Sequence, residues 1–208
     1  MELLNISGRA KKRLRVAYVG SALPRRCGIA TFTANLSKAL ETHWGKGSGF
    51  NIAMNDTGEG YDYASQVIGQ ISREELDEYR QAATLVNTKT IDLVSLQHEF
   101  GLFGGTAGNY ITEFLSRVEK PVVTTLHTVL PQPAPDLRKT LIEIAAFSRY
   151  LVVMNELAIE ILITVYDIDP EKIRLIPHGV PDTPYIDPLY FKHQLGLAEK
   201  EVILTFGF

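Results

Sequence analysis

Cysteine is almost missing from these 208 residues: Cys27 stands alone and can close no internal disulfide. Also missing is an N-terminal basic stretch leading into a long apolar run and a small-residue cleavage site, and the two absences together point to the cytoplasm. Apolar runs are short and broken by polar or turn residues, whereas a membrane-spanning helix needs roughly 20 consecutive apolar residues, so no crossing segment is expected. Net charge is small. Twenty-one Lys and Arg face 24 Asp and Glu, a balance of -3 that gives no global field for nucleic acid, so no nucleic-acid partner is expected. The local exception is the cluster Arg9, Lys11, Lys12, Arg13 and Arg15. It reads as a solvated flank of the first strand, with weak membrane-surface contact as the minor alternative, because it lacks an apolar face or second anchor. No internal repeat or low-complexity tract is visible.

What is present is ordinary for a folded domain: 45% hydrophobic and 22% charged residues, enough to build a core. Residues 14–20 (LRVAYVG) form a β-branched run that ends in turn residues and predicts a buried strand. Ile29, Phe32, Leu36 and Leu40 then recur at helical spacing. Further strands are expected at 50–54, 91–96, 122–126, 150–154 and 173–176. Helices are expected along Leu76, Tyr79, Ala83 and Val86, along Tyr110 to Val118, and at 137–147 and 156–165. Ser72 and Glu75 have capping-box spacing ahead of the first of these. Strands alternating with helices predict an α/β fold, a Rossmann-like parallel sheet with helices on both faces. Pro181, Pro184 and Pro188 mark a linker, followed by a short helix near 191–195 and a strand at 202–206. Two domains are expected: 1–180, and 181–208 as the linker and first strand of a second domain.

Ligands of open parallel sheets bind outside the carboxyl ends of strands, which directs attention to four segments. In the first, residues 24–30 (PRRCGIA), a helix start with Gly28 could receive a phosphate on free N–H groups; a plain βα turn is the competing reading. Only one of the three glycines of the dinucleotide fingerprint is there. The second, Gln97-His98-Glu99 followed by Gly101, Gly104 and Gly105, gathers polar side chains after an apolar strand. The zinc pattern H-E-x-x-H fails because Leu102 stands where the second His belongs. The third delivers His127 to the same rim, where an imidazole can donate to or accept from a sugar hydroxyl. The fourth runs from residue 170 into Pro177-His178-Gly179 at the domain exit. Asp167 and Asp169 imitate a D-x-D element but lack further oxygen ligands, so no metal is expected.

Taken in order, PRRCGIATFTANL, DLVSLQHEFGLFGG, PVVTTLHTVLP and YDIDPEKIRLIPHGV resemble the N-terminal domain of group 1 retaining glycosyltransferases, over roughly residues 14–180. The resemblance implies the first half of a GT-B two-domain fold, with a nucleotide-sugar donor held against a second domain in cis and a carbohydrate or lipid-linked acceptor on this side. It implies His127 beside the transferred sugar as the catalytic candidate. Arg26, Cys27, Gly28, Gln97, His98, Glu99, Gly104, Gly105, His178 and Gly179 are the substrate-binding candidates, and no cofactor is implied beyond the nucleotide-sugar substrate. Cys27 precedes Gly28 where the family commonly carries paired glycines, and the family's C-terminal basic residues and paired glutamates have no counterpart in this sequence. A sugar-nucleotide epimerase of related fold, a dinucleotide-dependent oxidoreductase and a non-catalytic sugar-binding module are the alternative readings.

Overall fold

The computed structural model describes residues 13–180 and 183–205. Of the basic cluster, Arg9, Lys11 and Lys12 lie outside the described residues, as do Pro181 and Phe206. The chain divides into two compact units between Pro177 and His178.

The first unit carries one seven-stranded, wholly parallel sheet. Its strands are β1 (Val16–Gly20), β2 (Gly49–Asn55), β3 (Val67–Ser72), β4 (Leu93–His98), β5 (Val122–Leu126), β6 (Tyr150–Val153) and β7 (Ile173–Leu175). The helices of this unit are α1 (Gly28–Trp44), α2 (Leu76–Thr88), α3 (Ile111–Leu115), α4 (Pro135–Phe147) and α5 (Glu156–Thr164). Strand order is β3-β2-β1-β4-β5-β6-β7. The chain first steps outward from β1 to β3, then returns to the far side of β1 and steps the other way. Right-handed crossovers in opposite directions put their helices on opposite faces, so the order reverses between β1 and β4.

Parallel strands covered on both sides read as near-continuous apolar runs. Val16, Ala17, Tyr18 and Val19 of β1 are accordingly all buried. One core cluster joins β1, β2 and β4 to α2 and α3 through Val19, Ile52, Leu96, Tyr79 and Phe114. A second lies around β6, α4 and α5, with Leu151, Leu141 and Leu162.

Several expectations need correction. Strand β3 is not among the expected strands; Gly69 interrupts its apolar pattern, and a Cβ there would come within 2.8 Å of Leu85 Cδ2 on α2. Ser72 therefore ends a strand and does not cap α2. Its N–H donates to Glu78, while Glu75 precedes the helix without a side-chain cap bond. In α1 the fully buried residues are Ala30 and Thr33, because small side chains let the helix approach the sheet; Phe32, Leu36 and Leu40 are half-buried. Strand β4 runs on through Gln97 and His98, and the expected long helix from Tyr110 is the single-turn α3.

In the second unit a short helix α6 (Pro188–Gln194) begins after Asp187, whose side chain accepts from the Leu189 N–H. The strand expected at 202–206 does not form over its described residues: 202–205 pair with no other strand and are exposed.

Candidate active site

At the reversal of strand order the carboxyl ends of β1, β4 and β5 lie side by side, and each delivers part of a polar cluster. Strand β1 ends at Gly20, packed so closely on β4 that a Cβ would stand 2.9 Å from Gln97 Cβ and 3.3 Å from its carbonyl oxygen. Glycine at this position leaves room for the Gln97 side chain. That side chain is fully buried, and its Oε1 lies 3.0 Å from His127 Nε2 while its Nε2 donates to Ser95 Oγ at 3.0 Å.

His127, the first residue beyond β5, is held at three points. Its backbone N–H donates to the His98 carbonyl at 3.0 Å, its ring meets Gln97, and Phe32 of α1 packs edge-on at 4.9 Å between centroids. Half-buried, it also walls a cleft of about 120 Å³ shared with Val129, Met154, Asn155 and Leu157.

Glu99 is anchored in turn. One oxygen accepts from the Phe100 N–H at 3.0 Å, capping the 3-10 turn Phe100–Leu102, and the other accepts from Thr128 Oγ1. The two strand-end loops are thereby tied together by a half-buried carboxylate.

His98 points away from this group and is wholly enclosed, stacked on Phe103 and edge-on to Phe100, with neither ring nitrogen hydrogen-bonded. Burial pushes its imidazole down to about 3, and the nearby His127 acts in the same direction. It is a neutral ring of the core.

The loop after β1 is fixed by Arg25, which donates to the Met54 carbonyl at 3.3 Å and pairs with Asp56 at 3.0 Å. Arg26 and Gly28 are exposed, and nothing stands within 4 Å of a Cβ at Gly28. The first turn of α1 carries no acidic residue and no side-chain cap, so its N–H groups remain a place of partial positive charge. Burial pushes the Cys27 thiol up, but the Ala30 amide, the Ser21 hydroxyl, the Ile29 amide and the Arg25 charge outweigh it and hold the thiol below its ordinary value.

Gly104 and Gly105 are used by the protein itself. A Cβ at Gly104 would run into the Arg73 carbonyl, and one at Gly105 into Asn109 and Tyr110. Tyr79 Oη accepts from the Gly104 N–H at 2.9 Å and donates to the Arg73 carbonyl at 2.8 Å. These glycines admit the Arg73 turn and the start of the next helix, one of the two uses, a ligand or the next helix, that glycines here allow. His178, whose Nδ1 lies 2.6 Å from the Gly179 carbonyl, belongs with Gly179 to the second unit.

Ser95, Phe32 and Thr128 are not among the site candidates that the sequence offers, Phe32 entering there only through the apolar spacing of α1. Ser95 sits two residues before Gln97 on one face of β4, and that period was the available signal. Among the described residues no group of three His, Cys, Asp or Glu is placed to hold a metal, and no helix is long and apolar enough to cross a membrane. A wider groove of about 860 Å³, lined by Lys120, Arg149, Tyr150, Asp169, Lys172 and Arg174, lies at the opposite, amino end of β5, β6 and β7.

No family model and no curated protein sequence matches the chain. Solved structures do. A glycosyltransferase from Rickettsia africae ESF-5 superposes with a TM-score of 0.60 at 18% identity, covering 89% of this chain and 50% of that one. Anabaena Alr3699/HepE, solved in complex with UDP and glucose, gives a TM-score of 0.63 at 12% identity, covering 89% and 51%. The chain shares the fold of glycosyltransferases. It spans about half the length of those two structures, and at such identities the likeness concerns the fold.

Proposed function

We propose that the chain is the N-terminal, acceptor-side half of a GT-B, group 1 retaining hexosyltransferase. Such an enzyme moves a hexose from a nucleotide-sugar to a saccharide, lipid-linked or other hydroxyl acceptor. The observation that carries the reading is the convergence of the α1 N-terminus, Gln97, Glu99 and His127 where strand order reverses. A structural neighbour that holds UDP and glucose supports a nucleotide-sugar as donor.

In this reading the two walls of the cleft divide the work. The leaving diphosphate needs positive charge and N–H donors while the acceptor hydroxyl attacks, and the α1 start at Gly28 offers donors from this side. His127 orients the reacting centre. Glu99, with both oxygens already accepting hydrogen bonds, suits recognition of acceptor hydroxyls better than attack on carbon. A second domain in cis supplies the nucleotide contacts, and the enzyme works in the cytoplasm, with at most weak contact to the inner membrane face.

Ligand-observed NMR of this chain with a panel of candidate acceptor saccharides tests the reading. Saturation should pass to one class of saccharide and fall when His127 or Glu99 is replaced. Binding that survives both replacements would put the acceptor elsewhere.

A further inference from the structure

Four cations, Lys120, Arg149, Lys172 and Arg174, line the groove at the amino end of β5, β6 and β7. The chain as a whole carries a net charge of -3, so the groove reverses the sign locally. Among the described residues none of the four pairs with a carboxylate, whereas Arg25, Arg80 and Arg117 each do. Asp169 and Glu171 reach the same groove, so cations outnumber carboxylates four to two, and the Asp169 carboxylate already accepts from the Glu171 N–H at 2.8 Å.

Neutral groups of the protein hold these cations in place. Arg174 Cζ lies 4.4 Å and Arg149 Cζ 5.6 Å from the centroid of the Tyr150 ring, so one aromatic side chain carries both guanidiniums. Arg174 Nη1 also donates to the Glu171 and Ile173 carbonyls at 2.8 Å, and Lys172 Nζ donates to the Ala145 carbonyl of α4 at 2.8 Å. A guanidinium has five N–H donors and an ammonium three, so each keeps donors beyond these bonds. Stacking orients the planar fork in advance, which suits it to two oxygens of a phosphate. We infer that this groove binds a phosphate-bearing ligand with at least two negative charges, at a site separate from the candidate active site. Its volume of about 860 Å³ falls within the span of small-molecule sites, roughly 300–1,000 Å³. Walls of one prevailing sign concentrate anions there. The site does not depend on which reaction the carboxyl end of the sheet performs.

The test is 1H–15N correlation NMR of this chain titrated with inorganic pyrophosphate at neutral pH and low salt, where screening is weakest. Amide shifts at Arg149, Tyr150, Lys172 and Arg174 should saturate together, and acetate at equal ionic strength should not reproduce them. Lys120→Gln and Arg149→Gln should each weaken binding about tenfold, the factor one charge-assisted hydrogen bond supplies. Arg149 is exposed and Lys120 half-buried, so both variants should keep the parent's amide pattern elsewhere. Arg26→Gln, at the start of α1, controls for the other phosphate-accepting candidate and should leave the groove shifts unchanged. A second arm distinguishes the sources of the phosphate. Sedimentation with phosphatidylglycerol but not phosphatidylcholine vesicles, lost in the double variant Lys120→Gln/Arg149→Gln, assigns it to a lipid headgroup. Pyrophosphate binding without sedimentation assigns it to a soluble ligand. No saturable shift in the groove overturns the proposal, as does equal affinity in the parent and the folded double variant.

Discussion

Gln97 and His98 are neighbours on β4, but the alternation of a strand sends their side chains opposite ways and gives them unlike fates. His98 enters an aromatic cage that holds it neutral, with its imidazole pushed down to about 3. The unfolded chain carries this group near about 6.5, so below that pH it takes up a proton that the folded state refuses. The His98 contribution to stability is therefore complete above about 6.5 and is lost as pH falls from there toward about 3. Thermal unfolding at pH 7 and pH 4 should show a smaller acid-induced drop for His98→Leu than for the parent. The substitution should cost little at pH 7, since it removes two unsatisfied nitrogens. His127, by contrast, stands at the rim. If the chain is the half of a hexosyltransferase proposed above, His127→Ala in the two-domain enzyme should raise the barrier to turnover by up to about 2.7–4 kcal/mol, the scale of a lost charge-positioning contact, with a smaller effect on melting temperature. A variant that melts early but turns over normally would make His127 a structural residue.

At the scale of elements, Tyr79 of α2 fastens the loop after β4 to the turn before the helix through one hydroxyl. Burial pushes that hydroxyl up to about 12, so it stays protonated and able to donate at any ordinary pH. Tyr79→Phe would strand the Gly104 N–H and the Arg73 carbonyl. It should destabilise the fold by about 1–3 kcal/mol in urea unfolding. The same contact explains part of what the sequence concealed. Strands β1, β2 and β5 announce themselves through β-branched runs, and α4 and α5 through apolar spacing. Strand β3 is masked by Gly69, whose meaning lies in Leu85 on another element. Capping-box spacing at Ser72 and Glu75 looks local, but the Ser72 amide bonds to Glu78. Gly104 and Gly105 leave room for a ligand or for the next helix on sequence alone, because their neighbours Arg73 and Tyr110 enter only on folding. The rim position of His127 was legible because residues beyond a parallel strand stand at the sheet's carboxyl edge; its hydrogen bond to Gln97 was not, since β4 and β5 are neighbours only in space.

For the molecule as a whole, the reversal of strand order gathers the candidate residues, while the two-unit division leaves His178 and Gly179 outside the sheet domain. If this sheet is one wall of an interdomain cleft, the chain alone should fold but give no measurable transferase turnover against a panel of nucleotide-sugars and acceptors. Calorimetry should detect no tight stoichiometric magnesium, manganese or zinc, since His98 is sealed in the core and no group of three His, Cys, Asp or Glu among the described residues is placed to hold a metal. The most direct measurement of the central claim is the anomeric configuration, by proton NMR, of the product formed when the full-length polypeptide is given nucleotide-sugar and acceptor. The account predicts a new glycosidic bond with the donor's anomeric configuration retained. An inverted linkage, or a sugar that is epimerised and never transferred, would contradict it.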